Sequence, residues 1–289
     1  MLGTVPSIPI LTYHGIHVDG DDYAANDHIG LQRDLTLLHE LGWQVIALET
    51  LIQALLKGGW ADLPTRSVVL TLDDGSWFDW YDLPHPVHGM QRSMVNILRD
   101  FQQQYGSDAQ PRLQATSFVI GSASAREALD QSCLIGRDWW GDDWRNQAHS
   151  EGLLQIGNHS WDHRHAALPP GLRYESADKD DRCIEYGSFA QLSDKQECDW
   201  QIRQTQIYLH EILGTAPSPV FAYPYGQVPE IVAAEYLPRY GPGMGLLAAV
   251  TTAADVVTPD SNRWRLPRYV FRRDWHSPDG LAELLAGKV

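Results

Sequence analysis

Cysteine, basic charge and long apolar runs are what this chain has least of, and each shortage excludes a class of protein. Three cysteines, Cys133, Cys183 and Cys198, leave one unpaired and show no CxxC spacing, so neither a disulfide framework nor a thiolate metal site is indicated. They read as structural thiols. Only 22 Lys plus Arg stand against 37 Asp plus Glu, a net charge of -15, and the cations form no run. Neutralising phosphates needs clustered cations, so nucleic acid is excluded as a partner and a neutral or cationic one is expected. No stretch reaches the roughly 18 apolar residues of a membrane span. Residues 1–9 lack the positive n-region of a secretory leader, and the apolar run that follows is broken by Thr12, Tyr13 and His14. The chain as it stands reads as cytoplasmic, or as secreted or periplasmic if a leader has been removed. Its oligomeric state is left open.

What is present describes a globule: 289 residues, 43% hydrophobic and 20% charged, which suits one large α/β domain over residues 1–289. Short apolar runs alternate with helical stretches, the pattern of parallel strands joined by crossover helices. Strands are expected at residues 8–13, 68–72, 116–120, 153–156, 220–223, 246–250 and 266–270. Helices are expected at 31–41, ended by Gly42, and at 48–56, 90–105, 195–213 and 228–236. No repeat or low-complexity linker divides the chain. Two segments, 76–89 and 121–152, are longer than a βα connection needs, and loops at the carboxyl ends of parallel strands converge on binding sites. The first carries Trp77, Phe78, Trp80 and Tyr81, the second Trp139, Trp140 and Trp144. Such rings can stack on sugars, and packing against the loop is the commoner use.

Three short strings could carry chemistry. The apolar run at 68–72 ends in Asp73, Asp74 and Gly75. Adjacent carboxylates repel, so a cation or a raised pKa would make sense of them, while an Asp-Asp-Gly turn is the simpler alternative. After the run at 153–156 come Asn158, His159, Ser160, Trp161, Asp162 and His163. One turn of helix would place His159 and His163 on the same face, a spacing that suits two ligands of one metal. Two imidazoles and a carboxylate leave an open coordination position, as in hydrolytic zinc. Arg164 and His165 read as solvated neighbours. The third string, residues 221–226, runs Phe-Ala-Tyr-Pro-Tyr-Gly and alone reads as a turn.

In this order, at strand ends, the three strings resemble the polysaccharide deacetylase family, metal-dependent carbohydrate esterases with a NodB-like domain. The resemblance is to a TFDDG-type motif at 72–75, an H-(S/T)-x-x-H motif at 159–163 and a PYG motif at 224–226. The opening Leu11-Thr12-Tyr13-His14-Gly15 looks like the family's first strand. The resemblance implies an irregular (β/α) barrel of about seven parallel strands and an N-acetylated glycan as substrate. It also implies Zn2+, or another divalent metal such as Co2+ or Ni2+, held by Asp74, His159 and His163. Asp73 would be the general base, and the Tyr225 backbone amide would help hold the oxyanion. Trp77 and Trp80 are the expected sugar platform.

The chain departs from the family at two points. Where the third motif often carries an arginine that pairs with the base, this chain has Ala222, as do branches that read A-Y-P-Y-G. Arg268, at the end of a later strand, is the expected replacement. The family's last histidine motif is absent, and His276 is the candidate general acid, with a surface histidine as the alternative. The expected reaction is removal of N-acetyl groups from an amino sugar. The alternatives are hydrolysis of a small non-sugar amide and an inactive carbohydrate-binding protein on the same fold.

Overall fold

The computed structural model describes residues 7–174 and 186–286; Cys183 lies outside the described residues. The strands are β1 (Ile10–His14), β2 (Gln44–Val45), β3 (Ser67–Asp73), β4 (Leu83–His85), β5 (Gly89–Gln91), β6 (Ala115–Val119), β7 (Leu154–Asn158), β8 (Val220–Ala222), β9 (Ala248–Val250) and β10 (Tyr269–Val270). Seven of them form a parallel path in the order β10-β1-β3-β6-β7-β8-β9, and β2 adds to β3. The path matches the seven strands expected. It curls because its ends meet through one stretch of chain: Leu266 bridges to Val250 beside β9, and Tyr269 and Val270 pair with β1. The fold is therefore an irregular (β/α) barrel.

The helices are α1 (Asp27–Glu40), α2 (Leu48–Lys57), α3 (Met94–Tyr105), α4 (Ala123–Cys133), α5 (Arg145–Glu151), α6 (Lys195–Cys198), α7 (Gln204–Leu213), α8 (Leu237–Tyr240) and α9 (Pro278–Ala286). A π-helical stretch, Asp199–Arg203, makes α6 and α7 one run, and another, Ile231–Tyr236, leads into α8. α1 begins four residues earlier than its apolar spacing suggests, because the Asn26 side chain accepts from the amides of His28 and Ile29. The helix expected at 90–105 begins at Met94 instead, because residues 83–91 fold into the β4–β5 hairpin. Likewise 121–152 is not one long loop but carries α4 and α5.

Strand alternation builds two layers of core. Leu11, Val68, Leu70, Leu72 and Ala115 join Leu31, Leu35 and Leu38 of α1 and Leu98 of α3 in the outer cluster. Ile10, Val69, Phe118, Val220, Ala222, Val250 and Leu266 fill the inside together with Leu48, Leu51 and Ile52 of α2. All seven residues of β3 are buried, because it is covered on both faces and paired on both edges. Its carboxyl end is where burial meets chemistry.

Candidate active site

Asp73 is the last residue of β3, and His14, the last of β1, is its partner in register. The chain then turns sharply. Asp74 has φ 75° and Gly75 φ 70°, and a Cβ on Gly75 would lie 2.3 Å from Val119 Cγ1. Only glycine fits that approach in that conformation.

The second string is not helical. β7 stops at Asn158, and the chain folds back through Ser160 (φ 70°), His163 (φ 58°) and Arg164 (φ 45°). Side chains stabilise this loop: Ser160 Oγ accepts from the His163 amide at 3.0 Å, and Asp162 Oδ1 accepts from the Arg164 amide at 2.8 Å. The two imidazoles still meet, with ring centroids 4.9 Å apart, but a left-handed turn and not a helix face brings them together. Arg164 and His165 are not solvated neighbours. Arg164 is buried, 3.4 Å from Glu197, and His165 lines the cavity. The third string ends β8 in the same manner, with Tyr225 at φ 58° and Gly226 at φ 66°. A Gly226 Cβ would meet Thr252 Oγ1 at 1.9 Å. Left-handed non-glycine residues cost roughly 1–2 kcal/mol each, and these cluster where three strands present their carboxyl ends.

Those ends open into a cavity of about 320 Å³ lined by Asp73, Asp74, His159, His163, Tyr225, His14, His17, His165 and Trp140 among others. Ligand atoms of Asp74, His159 and His163 all lie within 4.8 Å of one another. Asp74 Oδ1 is 3.7 Å from His159 Nε2 and 3.8 Å from His163 Nε2. His159 Nδ1 donates to the Ala222 carbonyl at 2.9 Å, which leaves its Nε2 lone pair facing Asp74. Burial lowers the pKa of both histidines, so both are neutral and able to ligate. Burial, then Asp73 and Asp79, pushes the Asp74 carboxyl up to about 8. Two free imidazole lone pairs and a crowded carboxyl fit a divalent cation: its charge would relieve the crowding, and the donors are nitrogen and oxygen, the set hydrolytic zinc uses.

Asp73 is held differently. Arg268 Nη1 and Nη2 donate to its two oxygens at 2.8 Å each, while Arg268 Nε donates to the Thr251 carbonyl at 2.9 Å. The guanidinium, fully buried inside the barrel, stands over the Phe118 ring. Burial alone would raise the Asp73 pKa, but Arg268 and then His159 outweigh it and hold the carboxyl well below the usual range. So the cation facing Asp73 comes from residue 268, while the Ala222 side chain packs in the inner core and its carbonyl orients His159.

Other expected residues lie elsewhere. His276 is exposed and outside the cavity, because Trp275 anchors its segment beside Tyr13. Trp80 is buried against Trp144 in the outer core, and Trp77 packs on Tyr81. Neither lines the cavity. The tryptophan that does is Trp140, whose Nε1 donates to the Asp74 carbonyl at 3.1 Å. Cys133 also lines the cavity as an exposed thiol, with Cys198 buried as expected. His14 had a legible signal, since like Asp73 it ends an apolar strand. Trp140 had none, because its place depends on how α4 and α5 fold the loop.

A family model described as "Polysaccharide deacetylase" matches residues 61–239, more than half of the chain. The chain belongs to the polysaccharide deacetylase family. Solved structures similar to this family member include the Streptococcus pyogenes deacetylase PplD in complex with acetate. It is 18% identical, with a TM-score of 0.62 over 97% of this chain and 99% of that one. IcaB from Ammonifex degensii is 17% identical, with a TM-score of 0.62 over 97% and 96%. A de-N-acetylase from Aggregatibacter actinomycetemcomitans is 16% identical, with a TM-score of 0.62 over 96% and 99%. At these identities the likeness establishes the barrel of this deacetylase-family chain. No curated protein matches it.

Proposed function

We propose that this chain hydrolyses the N-acetyl group of an amino sugar in an N-acetylated polysaccharide or oligosaccharide. Asp74, His159 and His163 would hold a divalent cation, zinc or else cobalt or nickel. The observation that carries the reading is Asp73, locked by the Arg268 fork, 4.0 Å from His159 Nε2 and beside a three-ligand cluster in one cavity. The cation supplies Lewis-acid polarisation and lowers the pKa of a water to about 7.

The rest falls to the chain's own groups. Asp73 accepts the proton of the attacking water; both its oxygens are oriented by Arg268, so the base cannot rotate out of line. Tyr225 lines the cavity, and its amide would donate to the oxyanion that forms on the acyl group. The C–N bond then breaks, and the amine leaves only when protonated. His14, in register with Asp73 and lining the cavity, would serve that step in place of the exposed His276. Burial, then His17, pushes the His14 pKa down to about 3, so its cation is scarce at rest. The proton His14 would hand to the amine is the one Asp73 has taken from the water, so the charge of the cavity is the same before and after the C–N bond breaks.

The test is acetate release from N-acetylglucosamine oligomers by the zinc-loaded chain. Asp73→Asn should abolish turnover and keep the metal, whereas Asp74→Ala or His159→Ala should lose the metal. If all three keep metal and activity, the assignment is wrong. Trp77 and Trp80 do not furnish an aromatic groove, which favours as second reading a small non-sugar amide. Release from such amides without release from glycans would decide for it.

A further inference from the structure

His14, His17 and Asp27 bring three further ligand atoms within 4.8 Å of one another. His14 ends β1, and the His17 amide donates to the His14 carbonyl at 3.0 Å to close a turn. Asp27 opens α1; its amide donates to the His17 carbonyl at 3.1 Å, and its Oδ2 accepts from the His14 amide at 2.7 Å. These backbone ties fix the carboxylate beside both histidines. Asp27 is fully buried, and its Oδ1 has no hydrogen-bond partner among the described residues while lying 3.8 Å from His17 Nδ1. His14 Nδ1 is likewise buried without a partner. A buried polar atom left so costs on the order of 1–3 kcal/mol, which a ligand would relieve.

The two imidazoles suit a cation better than a proton, whereas burial pushes the Asp27 carboxyl up to about 8, so a cation would have to displace its proton. Burial first, then Arg272, pushes His17 down to about 4, and His14 lies lower still, so both imidazoles offer lone pairs at neutral pH. Arg272 Nη1 lies 3.9 Å from Asp27 Oδ1, beyond hydrogen-bond reach, and its Nη2 is engaged by Asp19 at 2.6 Å. The arginine thus neighbours the cluster without filling it. Two nitrogens and one oxygen are the set that zinc and its relatives accept.

We propose that His14, His17 and Asp27 form a second site for a borderline divalent cation such as zinc, and that filling it inhibits the enzyme by taking the His14 imidazole. The binding stands on the geometry alone; the inhibition rests on the role proposed above for His14. Because His14 and His17 line the same cavity as Asp74, excess zinc reaches both sites through one opening.

Titration of the metal-stripped full chain with zinc, followed by calorimetry and by metal content after desalting, tests the site. Two equivalents are expected for the wild type, one for His17→Ala and one for Asp74→Ala. Acetate release should rise with the first equivalent and fall with the second, and the fall should vanish in His17→Ala. His17 is partly exposed, so its replacement spares the core, and an unchanged thermal melt of the stripped variant verifies this. A wild type that stops at one equivalent overturns the site, as does a second equivalent retained by both His17→Ala and Asp27→Asn. Two equivalents with no fall in release overturn the inhibition. Two equivalents with no release at any loading overturn the deacetylase reading and leave the second site standing.

Discussion

Asp73 and Asp74 are neighbours in the chain, and their surroundings drive their acidities apart. Asp73 has the Arg268 fork and stays ionised; Asp74 is pushed up to about 8 in the metal-free chain. Replacing Arg268 should therefore do two things. Arg268→Ala leaves a buried carboxylate unpaired, at a cost of roughly 3–5 kcal/mol. It also raises the Asp73 pKa, so the acid limb of the rate–pH profile should move to higher pH and turnover should drop; Arg268→Lys keeps charge without the fork and should fall between. Unfolding in urea and acetate release across pH measure both, and an unchanged profile in Arg268→Ala would refute the pairing. A second carboxyl gives the opposite sign. Burial raises Asp79 to about 7, although Ser117 donates to it at 2.7 Å. The folded chain thus holds a proton that the unfolded chain releases near pH 4, so the stability linked to Asp79 is full below about 4 and declines until about 7. Asp79→Asn should gain on the wild type in unfolding free energy between pH 5 and 7.5; a constant difference would contradict this. That Asp73, Asp74, His159 and His163 belong together was legible, because each follows an apolar run. Their acidities were not, because these come from groups distant in sequence.

At the scale of elements, strand ends decide function and connections decide which rings reach it. The three strings were visible as strand ends. The left-handed turns after β3, β7 and β8 were hidden, since Asp74, Ser160, His163 and Tyr225 have no intrinsic preference strong enough to announce φ near 60–75°. They are held there by contacts such as Ser160 Oγ to the His163 amide. The tryptophans show the same limit: a 3-10 turn at Trp77–Asp79, ahead of the β4–β5 hairpin, turns Trp80 into the core, and α4 and α5 bring Trp140 to the cavity. Trp80→Ala should cost roughly 3–5 kcal/mol in stability while leaving the KM for an N-acetylated oligomer unchanged. Trp140→Ala should raise that KM. Steady-state kinetics beside thermal melts separate the two, and the reverse pattern would restore Trp80 as a substrate platform.

For the whole molecule, closure of the barrel is the step that completes the site. Arg268 and Asp73 are 195 residues apart, and they meet because residues 266–270 join the two ends of the sheet. The net charge of -15 includes buried carboxylates that a cation would neutralise, among them Asp74. A cation that binds only the folded chain stabilises it by about 2.7 kcal/mol at a hundredfold excess over Kd. Zinc should therefore raise the Tm of the stripped chain, and the rise should shrink in Asp74→Ala. Equal shifts in both chains, read by differential scanning calorimetry, would remove Asp74 from the ligand set.

The sequence by itself determined the seven parallel strands, the strings at their ends and the family, because burial periodicity and motif spacing are local properties of a chain. Its scarce cysteines also leave nitrogen and oxygen as the donors open to the proposed cation. Only the tertiary structure decided that His14 and not His276 faces the cavity, and that Trp140 rather than Trp77 or Trp80 lines it. It alone brought His14, His17 and Asp27 into one cluster. Each of these depends on where a connection turns relative to a strand paired from elsewhere in the chain. Such turns are set by packing between distant segments, which no window of neighbouring residues contains.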